Sequence, residues 1–142
     1  DGTVPETGDE TSLIELRLTT SGGVRVFSGR GSDDRPGQRI AMEPIITGLA
    51  LRAVEAVRVV ATTCDFRGDW DLGLAVTNLR GTVSSVGLMP HRMPPYPDEE
   101  FRKVLRVTPA ELASDSLELV QRLTDHLDRV LNGRRFDLTK SR

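Results

Sequence analysis

The sequence predicts an α+β fold, a two-layer sandwich in which a mostly antiparallel sheet of about four to five strands carries two long helices on one face. Apolar residues alternate with polar ones in several short segments, which is typical of half-buried strands. In two longer segments they recur every three or four positions, which is typical of amphipathic helices. These segments follow one another in the order ββαββα, and this order favours two helices packed on one side of an antiparallel sheet.

One domain accounts for most of the chain. Its 142 residues, 37% of them hydrophobic, are enough to form one core. We expect this domain to span residues 12–133, after a disordered acidic linker at 1–11 and before a polar tail at 134–142. Because the chain begins with Asp1 rather than Met, we expect it to be a piece of a longer protein.

A β-hairpin is predicted at the start of the domain. Its first strand has apolar residues on its buried side, namely Ile14, Leu16 and Leu18. Residues 21–23 (Ser-Gly-Gly) form the turn, since glycine accepts the positive φ that hairpin turns need, and Val24 to Ser28 forms the second strand. Residues 29–39 are polar and predict a loop, which leads into a short extended piece at 40–42.

A long helix is predicted next. Pro44 suits its first turn, because the amide that proline lacks has no partner there. Gly48 costs the helix about 1 kcal/mol relative to alanine, and close approach to the sheet is the expected reason for a glycine at this position. We expect Cys64 to be a buried, inert thiol at the end of the apolar stripe. That stripe consists of Ile46, Leu49, Ala50, Ala53, Val57, Val60 and Cys64.

The central part of the chain predicts strands around a proline-rich loop. Residues 70–76 alternate as a long strand, and residues 82–86 are expected to pair back as a short return strand. Residues 87–98 hold four of the eight prolines and predict an irregular surface loop, since proline constrains φ and has no N–H to donate. Residues 101–107 form the last predicted strand.

The final segment is predicted to be helical. Thr108 and Glu111 have the spacing of a capping box, in which each side chain bonds the backbone amide of the other residue. Residues 114–116 (Ser-Asp-Ser) interrupt the segment and start the main helix, which we expect to end at Gly133. The apolar stripe of this helix comprises Leu119, Val120, Leu123, Leu127, Val130 and Leu131.

Common catalytic, cofactor and metal motifs do not occur, so we expect no catalytic residue, no cofactor and no metal site. Residues 29–32 (Gly-Arg-Gly-Ser) lack the lysine of a nucleotide-binding loop. The acidic segment 65–71 lacks the alternating ligands of a calcium loop, and the serines at 84–85 lack a nucleophile elbow. An enzyme with an unrecognised site around His91 is a weaker alternative.

Location and charge limit the partners. The sequence has no run of about 18 apolar residues, no signal peptide and a single cysteine, so we expect a cytoplasmic protein without a membrane partner. The net charge of −2 disfavours a binder that depends on neutralising phosphates. Seventeen of the 19 basic residues are arginine. They are dispersed along the chain, so we attribute this excess to genomic composition.

A binding surface is the remaining candidate site. If both helices cover one face of the sheet, the other face displays arginine, aromatic and aliphatic side chains, which protein interfaces favour. These groups also suit nucleic acid, because arginine pairs with phosphate and Phe27 can stack on a base. We favour contact with protein, since no cluster of aromatic residues accompanies Phe27. The residues of this predicted surface are Glu15, Arg17, Arg25, Phe27, Arg102, Val104 and Arg106.

The proline-rich loop is a second candidate contact element. Met93 and Tyr96 flank two consecutive prolines there, and large apolar side chains on a rigid loop suit protein contact. The alternative interpretation of this loop is a rigid connector.

Two segments resemble a known family. Residues 71–85 read DLGLAVTNLRGTVSS, and residues 95–112 read PYPDEEFRKVLRVTPAEL. Over most of residues 40–131 the sequence resembles the C-terminal region of large actinobacterial proteins of the Schlafen AlbA type, which are described as ATP-binding or DNA-binding. In that family the nucleotide or nucleic-acid assignment belongs to an N-terminal domain, so the resemblance transfers no catalytic residue.

The resemblance implies a non-catalytic accessory domain at the C-terminal end of a larger protein. Its expected partners are the N-terminal domain of the same polypeptide, a second copy in a homodimer, or another protein. The alternative is a nucleic-acid-binding module that uses the arginine-bearing sheet face.

Overall fold

Seven strands and three helices make up the described part of the chain, which in this computed structural model comprises residues 14–19, 22–29, 31–85 and 95–131. The fold is a mixed α+β fold, as the sequence predicts. The predicted linker at 1–11, the tail at 134–142 and the helix stop at Gly133 lie outside the described residues. The elements are β1 (Ile14–Leu18), β2 (Val24–Ser28), β3 (Ser32–Arg35), β4 (Gln38–Ala41), α1 (Glu43–Thr63), β5 (Trp70–Val76), β6 (Val83–Ser84), β7 (Phe101–Val107), α2 (Pro109–Ala113) and α3 (Ser116–Leu131).

The strands form three small sheets where the sequence suggested one. β1 pairs with β2, β5 pairs with β7, and β4 lies between β3 and β6. β3 was not predicted, and β4 overlaps the short extended piece expected at 40–42, so the element order of the described chain differs from ββαββα. All pairs are antiparallel except β4 and β6, which run parallel.

The predicted first hairpin is confirmed, but not the burial of its first strand. β1 and β2 are antiparallel, with Leu16 opposite Val26 and Leu18 opposite Val24. Both valines are half-buried, whereas Leu16 and Leu18 are 61% and 62% exposed. The reason is the position of β1: α1 packs against β2, whereas β1 pairs with β2 and has no comparable packing against a helix.

The polar segment predicted to be a loop forms a second hairpin. β3 and β4 are joined by a turn at Pro36 and Gly37, where Gly37 has a φ of +77° that a side chain would strain. Arg39 Nε donates to Asp34 Oδ1 across the pair at 3.0 Å. The sequence hides this hairpin because every residue of β3 is polar and β4 has apolar residues only at its end, Ile40 and Ala41, which are buried.

β6 differs from the predicted return strand in its partner. It does not pair back onto β5; Ile40 lies opposite Val83 and Ala41 opposite Ser84 in the parallel pair of β4 and β6. The amide of Ser85 continues the pair by donating to the carbonyl oxygen of Ala41 at 3.1 Å. The start and the end of the segment between β4 and β6 are therefore held together.

The α1 helix matches the prediction in extent but not at two residues. Ile46, Ala50 and Val57 are buried as expected. Gly48 does not approach the sheet closely: a Cβ added there would meet nothing within 4 Å. Cys64 follows the end of the helix at Thr63 and is exposed, so its predicted burial is wrong.

The interrupted final helix and its capping box are confirmed. The amide of Glu111 donates to Thr108 Oγ1 at 3.3 Å, and the amide of Thr108 donates to Glu111 Oε2 at 2.8 Å. The amide of Leu117 donates to Asp115 Oδ1 at 2.8 Å, which starts α3. These bonds satisfy amides that have no partner within the helix.

Two apolar clusters lie between the helices and the strands. The first joins α1, β5, β7, α2 and α3 through Ala50, Val54, Val57, Leu72, Val107, Leu112, Leu119, Val120 and Leu123. The second joins β4, α1, β7 and α3 through Ala41, Ile46, Leu79, Tyr96, Phe101, Leu127 and Leu131. Leu74 packs against both clusters, so they are in contact.

A membrane span is not found among the described helices. Each of them is too short or too polar to cross a bilayer.

Candidate interaction surface

Six of the seven residues predicted to share an exposed sheet face are exposed. They belong to two separate antiparallel strand pairs, β1–β2 and β5–β7, and we refer to them together as the outer hairpin face. β1 and β2 contribute Arg17, Arg25 and Phe27, and β7 contributes Arg102, Val104 and Arg106. The seventh, Glu15, lies in β1, and its side chain is outside the described part.

Arginine and an aromatic ring are in contact on the β1–β2 half of this face. The Arg25 guanidinium lies 5.8 Å from the centroid of the Phe27 ring, which is within the range of a cation–π interaction. Arg17 lies directly opposite Arg25 in the strand pair, and Phe27 is 40% exposed. This half of the face therefore combines two arginines with one accessible ring.

The β7 half of the face pairs each arginine with a carboxylate. Arg102 Nε lies 2.9 Å from Glu100 Oε1, and Arg106 Nε lies 3.4 Å from Asp69 Oδ2. The hydrogen bond from Arg102 lowers the pKa of Glu100, and the same bond raises the pKa of Arg102. Between the two arginines, Val104 is 68% exposed. This half combines an apolar centre with nearly balanced charges.

A groove separates the β1–β2 pair from the β5–β7 pair. It has a volume of about 830 Å³ and is lined along its sides by β2 and β5. Its floor is an apolar part of α1 that includes Leu49, Ala50 and Ala53. We call it the β2–β5 groove. The volume lies near the upper end of the roughly 300–1,000 Å³ that ligand pockets typically have, so a short extended segment is of suitable size.

The second predicted contact element is only partly described. Met93 lies outside the described residues. Tyr96 is 4% exposed and belongs to the second apolar cluster, so its ring is not part of an exposed surface. Its backbone bonds explain this position: the amide of Tyr96 donates to Thr82 at 2.8 Å, and its carbonyl oxygen accepts from Gly81 at 3.0 Å. Burial raises the pKa of the Tyr96 hydroxyl, and the negative charge of Asp98 adds to this shift.

Glu43, the first residue of α1, has a buried carboxyl group that the sequence analysis missed, and it links the start of the helix to Ser85. Glu43 Oε2 accepts from the amide of Ser85 at 3.1 Å and from Ser85 Oγ at 2.6 Å. Among the described residues, Glu43 Oε1 has no hydrogen-bond partner. A glutamate in the first turn is the one signal in the sequence, because negative charge is favourable at a helix N-terminus.

Asp128 of α3 lies close enough to Glu43 to respond to its charge. Burial raises the pKa of the Asp128 carboxyl, the hydroxyl of Thr124 opposes this shift by donating a hydrogen bond, and the negative charge of Glu43 adds to it. Glu43 and Asp128 therefore form an acidic pair between α1 and α3. Ser85 and Thr124 supply hydroxyl groups to it.

The other candidate residues are not assembled into a site by the described structure. Asp65 forms an ion pair with Arg67, and Asp69 forms one with Arg106. No three described His, Cys, Asp or Glu residues are arranged to hold a metal ion. His91 lies outside the described ranges, so the alternative that involves it remains untested.

Comparison of the chain with protein-family models, with curated proteins and with solved structures finds no match in any of the three. The resemblance to Schlafen AlbA-type proteins accordingly stays a prediction from the sequence.

Proposed function

We propose that this domain is a non-catalytic accessory module of a larger protein and that it makes protein contacts through the outer hairpin face. The observation that carries the proposal is the exposed Val104 between two arginines that are already paired with carboxylates. An apolar centre with a charged rim is the usual arrangement of a protein interface. The partner is the N-terminal part of the same polypeptide, a second copy, or another protein.

The charges of this face favour protein over nucleic acid. Carboxylates near Arg102 and Arg106 weaken the attraction of this half for phosphates, since affinity for nucleic acid depends on net positive charge. The alternative, a nucleic-acid-binding module, is supported by the β1–β2 half, where Arg25 and the exposed Phe27 ring lie together.

The packing of helices on strands supports the finer fold assignment as a further part of the proposal. α1 packs on β2, and α3 packs on β5 and β7, so a helix packs on each of these two strand pairs. We propose that the functional form is a two-layer sandwich in which the β1–β2 and β5–β7 pairs belong to one layer and α1 and α3 to the other.

The first test supplies the N-terminal part of the polypeptide in trans and measures its affinity for this domain by calorimetry. We expect Val104→Asp to weaken binding at least tenfold, because it places a charge at the apolar centre of the face. Val59→Asp on α1 is the matched control, since Val59 is equally exposed but lies on a helix. Equal effects of both variants, or no effect of Val104→Asp on any association of the domain, would contradict the proposal.

The second test addresses nucleic acid directly. Single-stranded and duplex oligonucleotides are titrated by fluorescence anisotropy at low and moderate salt. We expect no salt-sensitive binding. Binding that weakens with salt and is lost when Arg17→Ala and Arg102→Ala are combined would establish the alternative.

A further inference from the structure

The two strands that line the β2–β5 groove each have one edge that faces it. Among the described residues, β2 is hydrogen-bonded to β1 alone and β5 to β7 alone. Backbone N–H and C=O groups on an open strand edge are a ready template for another strand. The groove thus offers two such templates, one on each side.

The contacts at the strand ends indicate that β2 and β5 run in the same direction. Val24 and Trp70, where the strands begin, both pack on the first apolar cluster, which includes Val57. After β2, Gly31 approaches Ile46 near the start of α1, since a Cβ added to Gly31 would lie 3.9 Å from Ile46 Cγ1. After β5, Leu79 belongs to the same second cluster as Ile46. A single strand between them can therefore be antiparallel to both.

The floor and the sides of the groove specify the pattern of such a strand. α1 presents Leu49, Ala50 and Ala53 to the groove, so alternate residues of the strand must be apolar. The residues between them point to the outer face, where β5 presents Asp71 and β2 presents Arg25. A charged residue at these positions finds a partner of opposite sign there.

β1 is the described segment whose properties fit this pattern. It has five residues, as β2 does, and it forms an antiparallel ladder with β2. Leu16 and Leu18 are its apolar side, and they remain largely exposed at the outer edge of β2. In the groove they would lie on α1, while Arg17 would emerge on the outer face beside Asp71.

We propose, building on the proposed role in protein contact, that β1 of one copy inserts between β2 and β5 of a second copy, and that the exchange is reciprocal. Each β1 gives up one ladder with its own β2 and gains two ladders in the second copy. In each copy, β2 and the β5–β7 pair then belong to one antiparallel sheet, in the order β2, β1 of the second copy, β5, β7. The result is a symmetric dimer in which the β2–β5 groove of each copy holds β1 of the other copy.

Light scattering after size-exclusion chromatography tests the proposal across a range of concentrations. We expect the unmodified domain to be a dimer that dissociates on dilution. Leu16→Asp combined with Leu18→Asp is expected to raise the dissociation constant at least tenfold. Because both side chains are exposed in the single copy, the variant keeps its fold, which circular dichroism checks.

Val104→Asp separates this inference from the proposed function. Val104 lies on the outer hairpin face and does not line the groove, so this variant stays dimeric if β1 is exchanged. A dimer that Val104→Asp dissociates and the leucine variant does not would overturn the exchange while supporting contact through the outer face. A strict monomer at millimolar concentration would also overturn it.

A peptide supplies the positive control. The doubly substituted monomer keeps an empty groove, so a synthetic peptide with the sequence of residues 13–19 is expected to bind it and to slow hydrogen exchange of the β5 amides. A scrambled peptide of the same composition is expected not to bind. Equal binding of both peptides would contradict the proposed site, and so would slower hydrogen exchange of the β7 amides without any change at the β5 amides.

Discussion

At the scale of single residues, the least expected feature is the acidic pair of Glu43 and Asp128. Glu43 is buried, and its carboxylate accepts two hydrogen bonds from Ser85. Its other carboxyl oxygen, Oε1, has no hydrogen-bond partner among the described residues. Asp128 of α3 interacts with this carboxyl group, and the interaction adds to the rise in the pKa of Asp128 that burial causes.

Asp128→Asn is expected to stabilise the fold at neutral pH. The pKa of Asp128 is raised in the folded state. The protonated Asp128 carboxyl group therefore contributes fully to the stability of the fold below the ordinary Asp pKa of about 3.9, and this contribution is lost as the pH rises through the raised pKa. Asparagine removes this loss and keeps an oxygen for the Thr124 hydroxyl. Because Asp128 is only half-buried, we expect a gain of less than about 1 kcal/mol.

Urea unfolding at several pH values measures this gain. The difference between Asp128→Asn and the unmodified protein should be largest at neutral pH and disappear below pH 4 or so. Asp125→Asn is the control, because Asp125 is exposed on the same helix and forms an ion pair with Arg129. If Asp125→Asn raises the free energy of unfolding equally, the effect comes from net charge and not from the pair of Glu43 and Asp128.

At the scale of elements, patterns local to the sequence predicted structure well. β1, β2, β5, β7 and α1 were predicted because their apolar residues have the period of a strand or a helix. The capping box at Thr108 and Glu111 was predicted because its chemistry depends on two residues at a specified spacing. Each of these signals lies within one element.

Features that depend on distant partners were not predicted. β3 is polar throughout, and the two apolar residues of β4 are adjacent at its end, so the pair has no alternating pattern. β6 is short and its partner β4 lies on the other side of α1 in the sequence. In the candidate site, the exposure of the arginines was predicted from the alternation of apolar and polar residues along the strands. The burial of Tyr96 was not predicted, because it depends on backbone hydrogen bonds to residues 81–82.

Gly48 gives a prediction about α1 as an element. Since a Cβ there meets open space, alanine fits the helix without strain, and it lowers the conformational entropy of the unfolded chain. We therefore expect Gly48→Ala to raise the free energy of unfolding by about 0.5–1 kcal/mol.

Thermal and urea unfolding of Gly48→Ala test this expectation. Gly37→Ala is the contrasting variant: Gly37 also has open space around it, but its φ of +77° strains any side chain, so this variant should be less stable than the unmodified protein. A loss of stability in Gly48→Ala would show that Gly48 has a packing role after all.

At the scale of the whole molecule, the two apolar clusters determine whether the described chain unfolds as one unit. Leu74 packs against both, and α1 and α3 contribute residues to each. Helices that cross both clusters should couple their unfolding. We therefore expect residues from β4 to α3 to behave as a single cooperative domain.

Leu127→Ala tests this coupling. Leu127 is fully buried in the second cluster, so its truncation should cost about 2–5 kcal/mol. Trp70, the single tryptophan, packs against the first cluster. In a cooperative domain, the midpoint measured by Trp70 fluorescence falls by as much as the midpoint measured by circular dichroism.

Leu117→Ala serves as the control, because Leu117 is exposed on the same helix and should leave both midpoints unchanged. If Leu127→Ala lowers the midpoint measured by circular dichroism but not the midpoint measured by Trp70 fluorescence, the two clusters unfold separately.

The parallel pair of β4 and β6 has a consequence for the order of folding. Its two strands are separated in the sequence by α1 and β5, so a long loop must close before their few backbone bonds can form. Closure of that loop costs entropy, and contacts between distant residues slow folding. The β1–β2 hairpin and α1 can form locally within microseconds, so we expect β6 to pair with β4 only after α1 has packed. We therefore expect the Ser85 bonds to Glu43 and Ala41 to be among the last to form.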